Sequence, residues 1–280
     1  MSFRIVSDST SNVFSLLNQE VEFKSVPLKI RVNETDYIDD EHLDVEKMVE
    51  AVENSPTTSS SCPNVFDWKE AFANAKEIFA ITITSQLSGS YNSAVLAANQ
   101  YMEENPGTKV HVIDSLMTGA GPHLIIDKLV ELSKMELSFD TVTEKIEEYK
   151  KHIHLLFSLE SLQNLAKNGR VPLTVAKLAG FLSIRFIGKA SEEGKLTQIS
   201  IARGEKKTLA SLVNEAIKMK YTGGKMWIGH CLNQPAALKL KSLFEEKFPN
   251  SNIQIETLCG LNSYYAERGG LIIGFEDEEA

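Results

Sequence analysis

The sequence lacks the features that mark several large classes of protein. Its 280 residues include three cysteines, Cys62, Cys231 and Cys259, in neither a C-x-x-C nor a Cys/His spacing, which excludes a disulfide framework and a zinc finger. The formal net charge of −9 excludes the basic excess that drives binding to nucleic acid and to anionic membrane surfaces. The few, widely separated cysteines also lead us to expect a reducing cytoplasm as the location. No apolar run approaches the roughly 20 residues that span a bilayer, so we expect a globular protein without a transmembrane segment.

Motifs for nucleotide binding and for nucleophilic catalysis are missing as well. Residues 77–108 contain no Lys or Arg, so the loop within them lacks the G-x-x-x-x-G-K-[ST] pattern that holds a nucleoside triphosphate. Gln86 lies two residues before Ser88, where the G-x-S-x-G pattern of a nucleophile elbow requires glycine. We therefore expect neither a cofactor nor a metal ion.

The most informative stretch that is present covers residues 77–98, where an apolar run, a Ser/Gly turn and an Ala-rich run indicate strand, loop and helix. Ile78–Ile83 is short, branched and uncharged, which is typical of a strand buried inside a parallel sheet. Hydroxyls and unpaired backbone N–H groups then converge at the positive end of a helix dipole. Such a place binds an anion, and its neutral donors suit a single carboxylate; the alternative is a plain turn with a serine cap. The loop residues concerned are Ser88, Gly89, Ser90 and Ser93.

The rest of the chain predicts an α/β protein of two lobes. Strands alternate with helices up to about residue 152, after which short helices and a hairpin around Gly194 replace the alternation, so we predict lobes at 1–152 and 153–280. The first lobe has a mostly parallel sheet flanked by helices, and the second a mixed sheet. A hydroxyl-dense loop, Ser55–Pro63, contains Thr58 and Ser59. We interpret this loop as a donor-rich wall of the anion site, the alternative being a mobile linker.

Seven short segments, spread along nearly the whole chain, carry a more specific signal. They are Asp8-Ser-Thr-Ser, Thr57-Thr58-Ser59, Leu87-Ser-Gly-Ser-Tyr-Asn-Ser93-Ala, Val112-Ile-Asp-Ser115, Leu162-x-x-Leu-x-x-x-Gly169-Arg170, Ala202-Arg203-Gly-x-Lys-Lys207 and Gly269-Gly-Leu-Ile-Ile-Gly-Phe275. In this order and spacing the chain resembles the DegV family of bacterial fatty-acid-binding proteins. The resemblance implies a long-chain fatty acid in a tunnel between two lobes, with its carboxylate on the hydroxyls of Thr58 and Ser93. It also implies an acyl carrier and not an enzyme: a separate fatty acid kinase phosphorylates the bound carboxylate, and the acyl phosphate enters phospholipid synthesis.

Three departures from the family pattern fall in or near the implied site. The family's T-S-Q-P-S reads Thr58-Ser59-Ser60-Ser61-Cys62 here, and Phe186 stands where a proline is expected. The family's H-T-G-P-G aligns with Tyr265-Ala-Glu-Arg-Gly269, so the histidine that the family places near the carboxylate is absent. Tyr265 can offer one O–H donor in its place, and fatty-acid binding is expected to survive the loss.

Two other classes of function stay open. A hydrolase or acyltransferase would use Ser88, Ser93 or Cys62 as its nucleophile, but a general base is not visible, because His230 and Cys231 are strand neighbours that point to opposite faces. A soluble receptor for another small carboxylate would use the same anion loop.

A basic set of residues has two interpretations, a docking patch for the kinase or ordinary surface charge. Its members are Arg170, Arg203, Lys206 and Lys207.

Overall fold

The computed structural model describes residues 3–16, 21–172 and 184–280. In these ranges the strands are β1 (Arg4–Asp8), β2 (Glu22–Val26), β3 (Lys29–Val32), β4 (Thr35–Ile38), β5 (Thr58–Ser61), β6 (Glu77–Thr82), β7 (Lys109–Asp114), β8 (Ile153–Leu159), β9 (Ile184–Ala190), β10 (Leu196–Arg203), β11 (Lys225–His230), β12 (Asn252–Thr257) and β13 (Leu271–Glu276). The helices are α1 (Val45–Glu53), α2 (Val65–Phe72), α3 (Ser90–Glu104), α4 (Ala120–Ser133), α5 (Phe139–Tyr149), α6 (Gln163–Lys167), α7 (Glu205–Lys218), α8 (Gln234–Lys247) and α9 (Gly260–Ala266). The small and apolar residues from Leu173 to Leu182 predict one further helix, and this segment lies outside the described residues.

The first sheet has the order β2-β1-β6-β7, and all of its strands are parallel. One face, with Ile78 and Ala80, packs with residues of α2 and α3, while the other face, with Phe79 and Ile81, packs with residues of α4 and α5. Burial on both faces explains the continuous apolar run of β6. The strand, loop and helix predicted from residue 77 onwards are confirmed, and the loops that follow β1 and β6 meet at one edge of the sheet.

The second sheet is antiparallel, with the order β4-β3-β5. Strand β5 falls inside the segment that the sequence predicts to be a loop, because four consecutive hydroxyl residues show no apolar alternation. The strand forms by pairing with β3, from Val32 opposite Thr58 to Lys29 opposite Ser61. This pairing turns Thr58 and Ser60 to the half-buried face and leaves Ser59 and Ser61 exposed.

The third sheet is mixed, with the order β10-β9-β8-β13-β11-β12, in which the β11–β12 pair is parallel and the other neighbours are antiparallel. One face, which includes Leu156 and Ile187, packs with residues of α7 and α8. The opposite face, which includes Leu155 and Phe157, joins the core that contains α4 and the first sheet. The predicted α/β fold with one parallel and one mixed sheet is confirmed, and the lobe boundary near residue 152 stays a prediction.

The described part of the chain contains no helix that is both long enough and apolar enough to cross a membrane.

Candidate ligand-binding site

A cavity of about 260 Å³ lies between the loops at the end of the first sheet and the inner face of the third sheet. Most of its wall is aliphatic or aromatic, from β8, β13, α9 and the start of β10. The apolar lining includes Leu155, Phe157, Leu159, Leu196, Leu261 and Ile272. The polar lining includes Ser60, Ser61, Ser88, Arg170 and Tyr265. Ser61 and Gly89 line the cavity and are themselves exposed, so the polar end opens to solvent.

The loop after β6 is held in place by a buried carboxylate. Asp8, at the end of β1, is fully buried and accepts hydrogen bonds from the Ile83 N–H at 3.0 Å and from the Ser90 hydroxyl at 2.7 Å. Burial raises the pKa of Asp8, which these hydrogen bonds partly oppose. The sequence predicts Ser90 as a ligand-binding residue, but its hydroxyl donates to Asp8, and Ser90 fixes the start of α3.

Two further contacts fasten the same loop to its neighbours. The Asp114 carboxylate accepts the Ser85 N–H at 3.1 Å. The Thr84 hydroxyl donates to the Gly194 carbonyl at 2.9 Å, which attaches the tip of the β9–β10 hairpin to the loop. Gly194 has a φ of +81°, and a Cβ built there would overlap the Thr84 hydroxyl, so glycine permits both the turn and the contact. These contacts hold the loop that places Ser88 and Gly89 at the N-terminus of the 15-residue helix α3.

Arg170 reaches the cavity through a helix-ending turn. Gly169, with a φ of +73°, ends α6; its N–H donates to Ala166, and the N–H of Arg170 donates to Leu165, which is the Schellman pattern. The Arg170 guanidinium then donates from Nε to the Leu87 carbonyl at 3.1 Å and lies 5.9 Å from the ring centre of Tyr265. Sequence analysis assigns Arg170 a possible role in kinase docking and none in ligand binding, whereas the structure puts its charge beside the cavity.

Two of the departures from the family pattern meet in the structure. The Tyr265 hydroxyl lies 2.7 Å from the Ser60 hydroxyl, and either can be the donor. Burial raises the pKa of Tyr265, which keeps its phenol protonated. The neighbouring Tyr264 donates to the Thr58 hydroxyl at 2.9 Å. The residues that replace the family's glutamine and histidine therefore form one hydrogen-bonded pair on the cavity wall.

The helix that carries Tyr265 begins on a second buried carboxylate. Asp39 accepts the Gly260 N–H at 2.6 Å, the Leu261 N–H at 3.1 Å and the Ser9 hydroxyl at 2.8 Å. Burial raises the pKa of Asp39 to about 6, against the opposing effect of these donors. The contact fixes the N-terminus of α9 against the first turn of the chain. In the sequence, Asp39 is an acidic turn residue without a visible partner, because Gly260 lies 221 positions away.

The predicted site residues are only partly brought together. Ser88, Gly89 and Tyr265 line the cavity. Thr58, Ser59, Ser90 and Ser93, all in the described part of the chain, do not line it. Ser93 lies half-buried in the first turn of α3. Sequence reasoning missed Ser60, Ser61, Cys62 and Arg170 as lining residues.

The remaining basic residues of the predicted docking patch are Arg203, Lys206 and Lys207. They are exposed where β10 leads into α7, away from the set that lines the cavity. Their docking role stays a prediction.

The chemistry that the cavity offers is donation of hydrogen bonds and positive charge to an anion at one end, and contact with an apolar chain along the rest. All six histidines lie in described segments, and none of them lines the cavity. Cys62 and Ser88 line it, whereas His230 lies elsewhere, at the end of β11, where burial lowers its pKa.

The sequence profile of the DegV family, described as uncharacterised proteins, matches residues 2–276. A DegV domain-containing protein of Streptococcus pneumoniae is 40% identical over 279 residues, which is 99% of each chain. The chain belongs to the DegV family. The resemblance inferred from the seven segments is confirmed.

Two solved DegV structures share both the fold and the sequence. The fatty acid kinase B3 protein of Streptococcus pneumoniae, loaded with linoleic acid, is 40% identical, with a TM-score of 0.97 over 99% of this chain and 100% of that one. A DegV family protein of Eubacterium eligens, loaded with heptadecanoic acid, is 37% identical, with a TM-score of 0.96 over the same shares. The ligands of these two similar proteins are therefore long-chain fatty acids.

Proposed function

We propose that this protein holds one long-chain fatty acid in the cavity and serves as an acyl carrier, without turning over a substrate itself. The observation that carries the proposal is a largely apolar cavity whose polar end, with Ser60, Ser88, Arg170 and Tyr265, opens to solvent. An acid with an apolar tail matches both parts of this wall. The similar proteins that are loaded with heptadecanoic and linoleic acid support the same class of ligand.

The carboxylate is assigned to the open end, on the Ser88 hydroxyl, the Gly89 backbone and the Tyr265 hydroxyl, with Arg170 supplying a positive charge. Of the residues implied by the family resemblance, Thr58 supports Tyr264, and Ser93 lies one helical turn beyond Gly89. We retain both as proposed contributors, together with Ser59 and Ser90 as parts of the loops that shape this end.

The partner that we propose is a separate fatty acid kinase, since a relative with 40% identity is a protein of that system. Arg203, Lys206 and Lys207 are the proposed docking residues. All three cysteines, each in a described segment, are free, which suits the reducing cytoplasm as the location.

The first experiment is denaturing extraction of protein purified from a bacterial host, followed by mass spectrometry. We expect about one long-chain fatty acid per chain, none having been added. Recovery of a nucleotide or a sugar in that amount, with no lipid, would overturn the proposal. Esterase and thioesterase assays are expected to stay at background, and activity lost in Ser88→Ala would identify an enzyme.

A matched pair of arginine variants separates ligand binding from docking. A hydrogen bond to a charged group contributes about 1.5–3 kcal/mol, so we expect Arg170→Gln to weaken binding of the acid about 10- to 100-fold and to reduce the preference for acid over methyl ester. Arg203→Gln removes an exposed charge and is expected to leave the affinity unchanged while lowering phosphorylation by the kinase. Equal effects of both variants on affinity would contradict the assignment of Arg170.

A further inference from the structure

The apolar part of the cavity extends along strand β8. Leu159, Phe157 and Leu155 alternate along this strand and line the cavity. At about 3.3 Å per residue, they place contacts over about 13 Å of its length. Leu159 is at the end of β8 that leads through α6 to Arg170, so Leu155 is remote from the polar end. Leu196 pairs with Ala190, the last residue of β9, whereas Ile184 is the first. Leu196 therefore also lies at the end of the cavity that is remote from the polar end.

A glycine lies directly across from the middle of these three residues. Gly188 of β9 pairs with Phe157 in the antiparallel β8–β9 ladder. A Cβ built on Gly188 would overlap the tip of the Phe157 ring and would lie 2.7 Å from the carbonyl oxygen of Thr197. The ring therefore lies over the glycine, in the space that any other side chain would fill. Glycine inside a strand often marks such a close approach, and an aromatic ring across from it covers the exposed backbone.

We propose that Gly188 determines how far the acyl chain reaches into the cavity, by letting the Phe157 ring lie against the sheet. With the ring in this position, the cavity continues past Phe157 to Leu155 and Leu196. A side chain at position 188 would lift the ring into the cavity and would shorten the part that a tail can use. This inference rests on the proposed function, and it assigns to the Gly188–Phe157 pair the selection of acyl chain length.

The test is the dependence of Kd on acyl chain length for saturated acids, measured with lipid-free protein. Each methylene that becomes buried adds about 0.8 kcal/mol, or about fourfold in Kd, and wild type is expected to gain affinity with length until the cavity is full. In Gly188→Ala the gain is expected to stop at a shorter acid. If two methylenes no longer fit, the longest acids bind about 15-fold more weakly than to wild type, while short acids are unaffected.

A second substitution distinguishes the lifted ring from damage to β10 through Thr197. Gly188→Ala combined with Phe157→Leu removes the ring that the new methyl group displaces, so the gain for long acids is expected to return. If the gain in affinity for long acids does not return in the double variant, the effect is due to β10 and the inference is overturned. An unchanged dependence of Kd on chain length in Gly188→Ala would also overturn it. Ser158→Ala, on the same strand but the opposite face, is the control and is expected to match wild type.

Phe157→Trp tests the inference if Gly188→Ala does not fold. It leaves Gly188 and β10 intact, and its larger ring is expected to end the gain at a shorter acid; a series identical to wild type would overturn the inference. Wild type that binds no acid of any length would instead overturn the proposed function, and this inference with it. Binding with a clear length dependence that none of the variants alters would overturn the inference alone.

Discussion

Cys62 provides an assay of the cavity that needs no engineered probe. It is the half-buried member of the three cysteines and lines the cavity beside Gly89, whereas Cys231 and Cys259 are buried. The thiolate is the nucleophile that attacks an alkylating reagent such as iodoacetamide. Burial raises the pKa of Cys231 to about 11, so at pH 8 about 0.1% of this thiol is thiolate. Burial also raises the pKa of Cys259 well above its ordinary value. We therefore expect iodoacetamide to label lipid-free protein at Cys62.

Loading with heptadecanoic acid is expected to protect Cys62. At a free acid concentration ten times Kd, about one molecule in eleven is unoccupied, so a thiol covered by the ligand reacts about elevenfold more slowly. The rate is measured by mass spectrometry of the intact protein and of its peptides, with the methyl ester and a short acid as comparisons. Cys62→Ser is the control and is expected to remain unlabelled under the same conditions.

Two results would refute this reasoning. The first is an unchanged rate of iodoacetamide labelling at Cys62 in protein that is shown by extraction to carry the acid. The ligand would then lie away from the part of the cavity wall formed by residues 60–62. Faster labelling of Cys231 or Cys259 than of Cys62 would mean that the packing around those thiols differs from that described above.

Two predictions concern stability, measured by urea unfolding. Asp39 has a pKa of about 6, raised from 3.8, so its contribution to folding is complete below pH 3.8 and is lost as pH rises through 6. Relative to Asp39→Asn, wild type is expected to lose about 3 kcal/mol of unfolding free energy over that range; a constant difference would contradict the pKa. Ser60→Ala and Tyr265→Phe are each expected to cost about 1 kcal/mol, and the double variant less than their sum, because both remove one hydrogen bond. Strict additivity would contradict the pairing.

The elements that the sequence predicted well are those determined locally. Strand β6 is an uninterrupted apolar run, and α3 follows it after a turn of small polar residues, so length and composition were sufficient. The turn that presents Arg170 is also determined locally, because Asn168-Gly169 favours a left-handed helix cap, in which φ > 0 favours glycine.

What the sequence could not show depends on partners that are distant along the chain. Strand β5 exists because β3 pairs with it, and a run of hydroxyl residues carries no periodicity from which to predict a strand. Nothing in the sequence around Asp8 or Asp39 indicates a distant partner, yet each is buried and binds backbone N–H groups from another part of the chain. The same limit applies to the pairing of Ser60 with Tyr265, 205 residues apart.

The orientation of the cavity has a consequence for how a carrier of this kind can release its cargo. Ser61 and Gly89 are exposed at the polar end, while Leu155 and Leu196 lie at the other. In the proposed function, the partner kinase can modify the head group while the tail remains buried in the cavity. The free energy of tail burial is therefore the same before and after the reaction. The chemical step then does not include the free-energy cost of exposing the acyl tail to water. That cost arises only later, when an acceptor removes the lipid from the cavity.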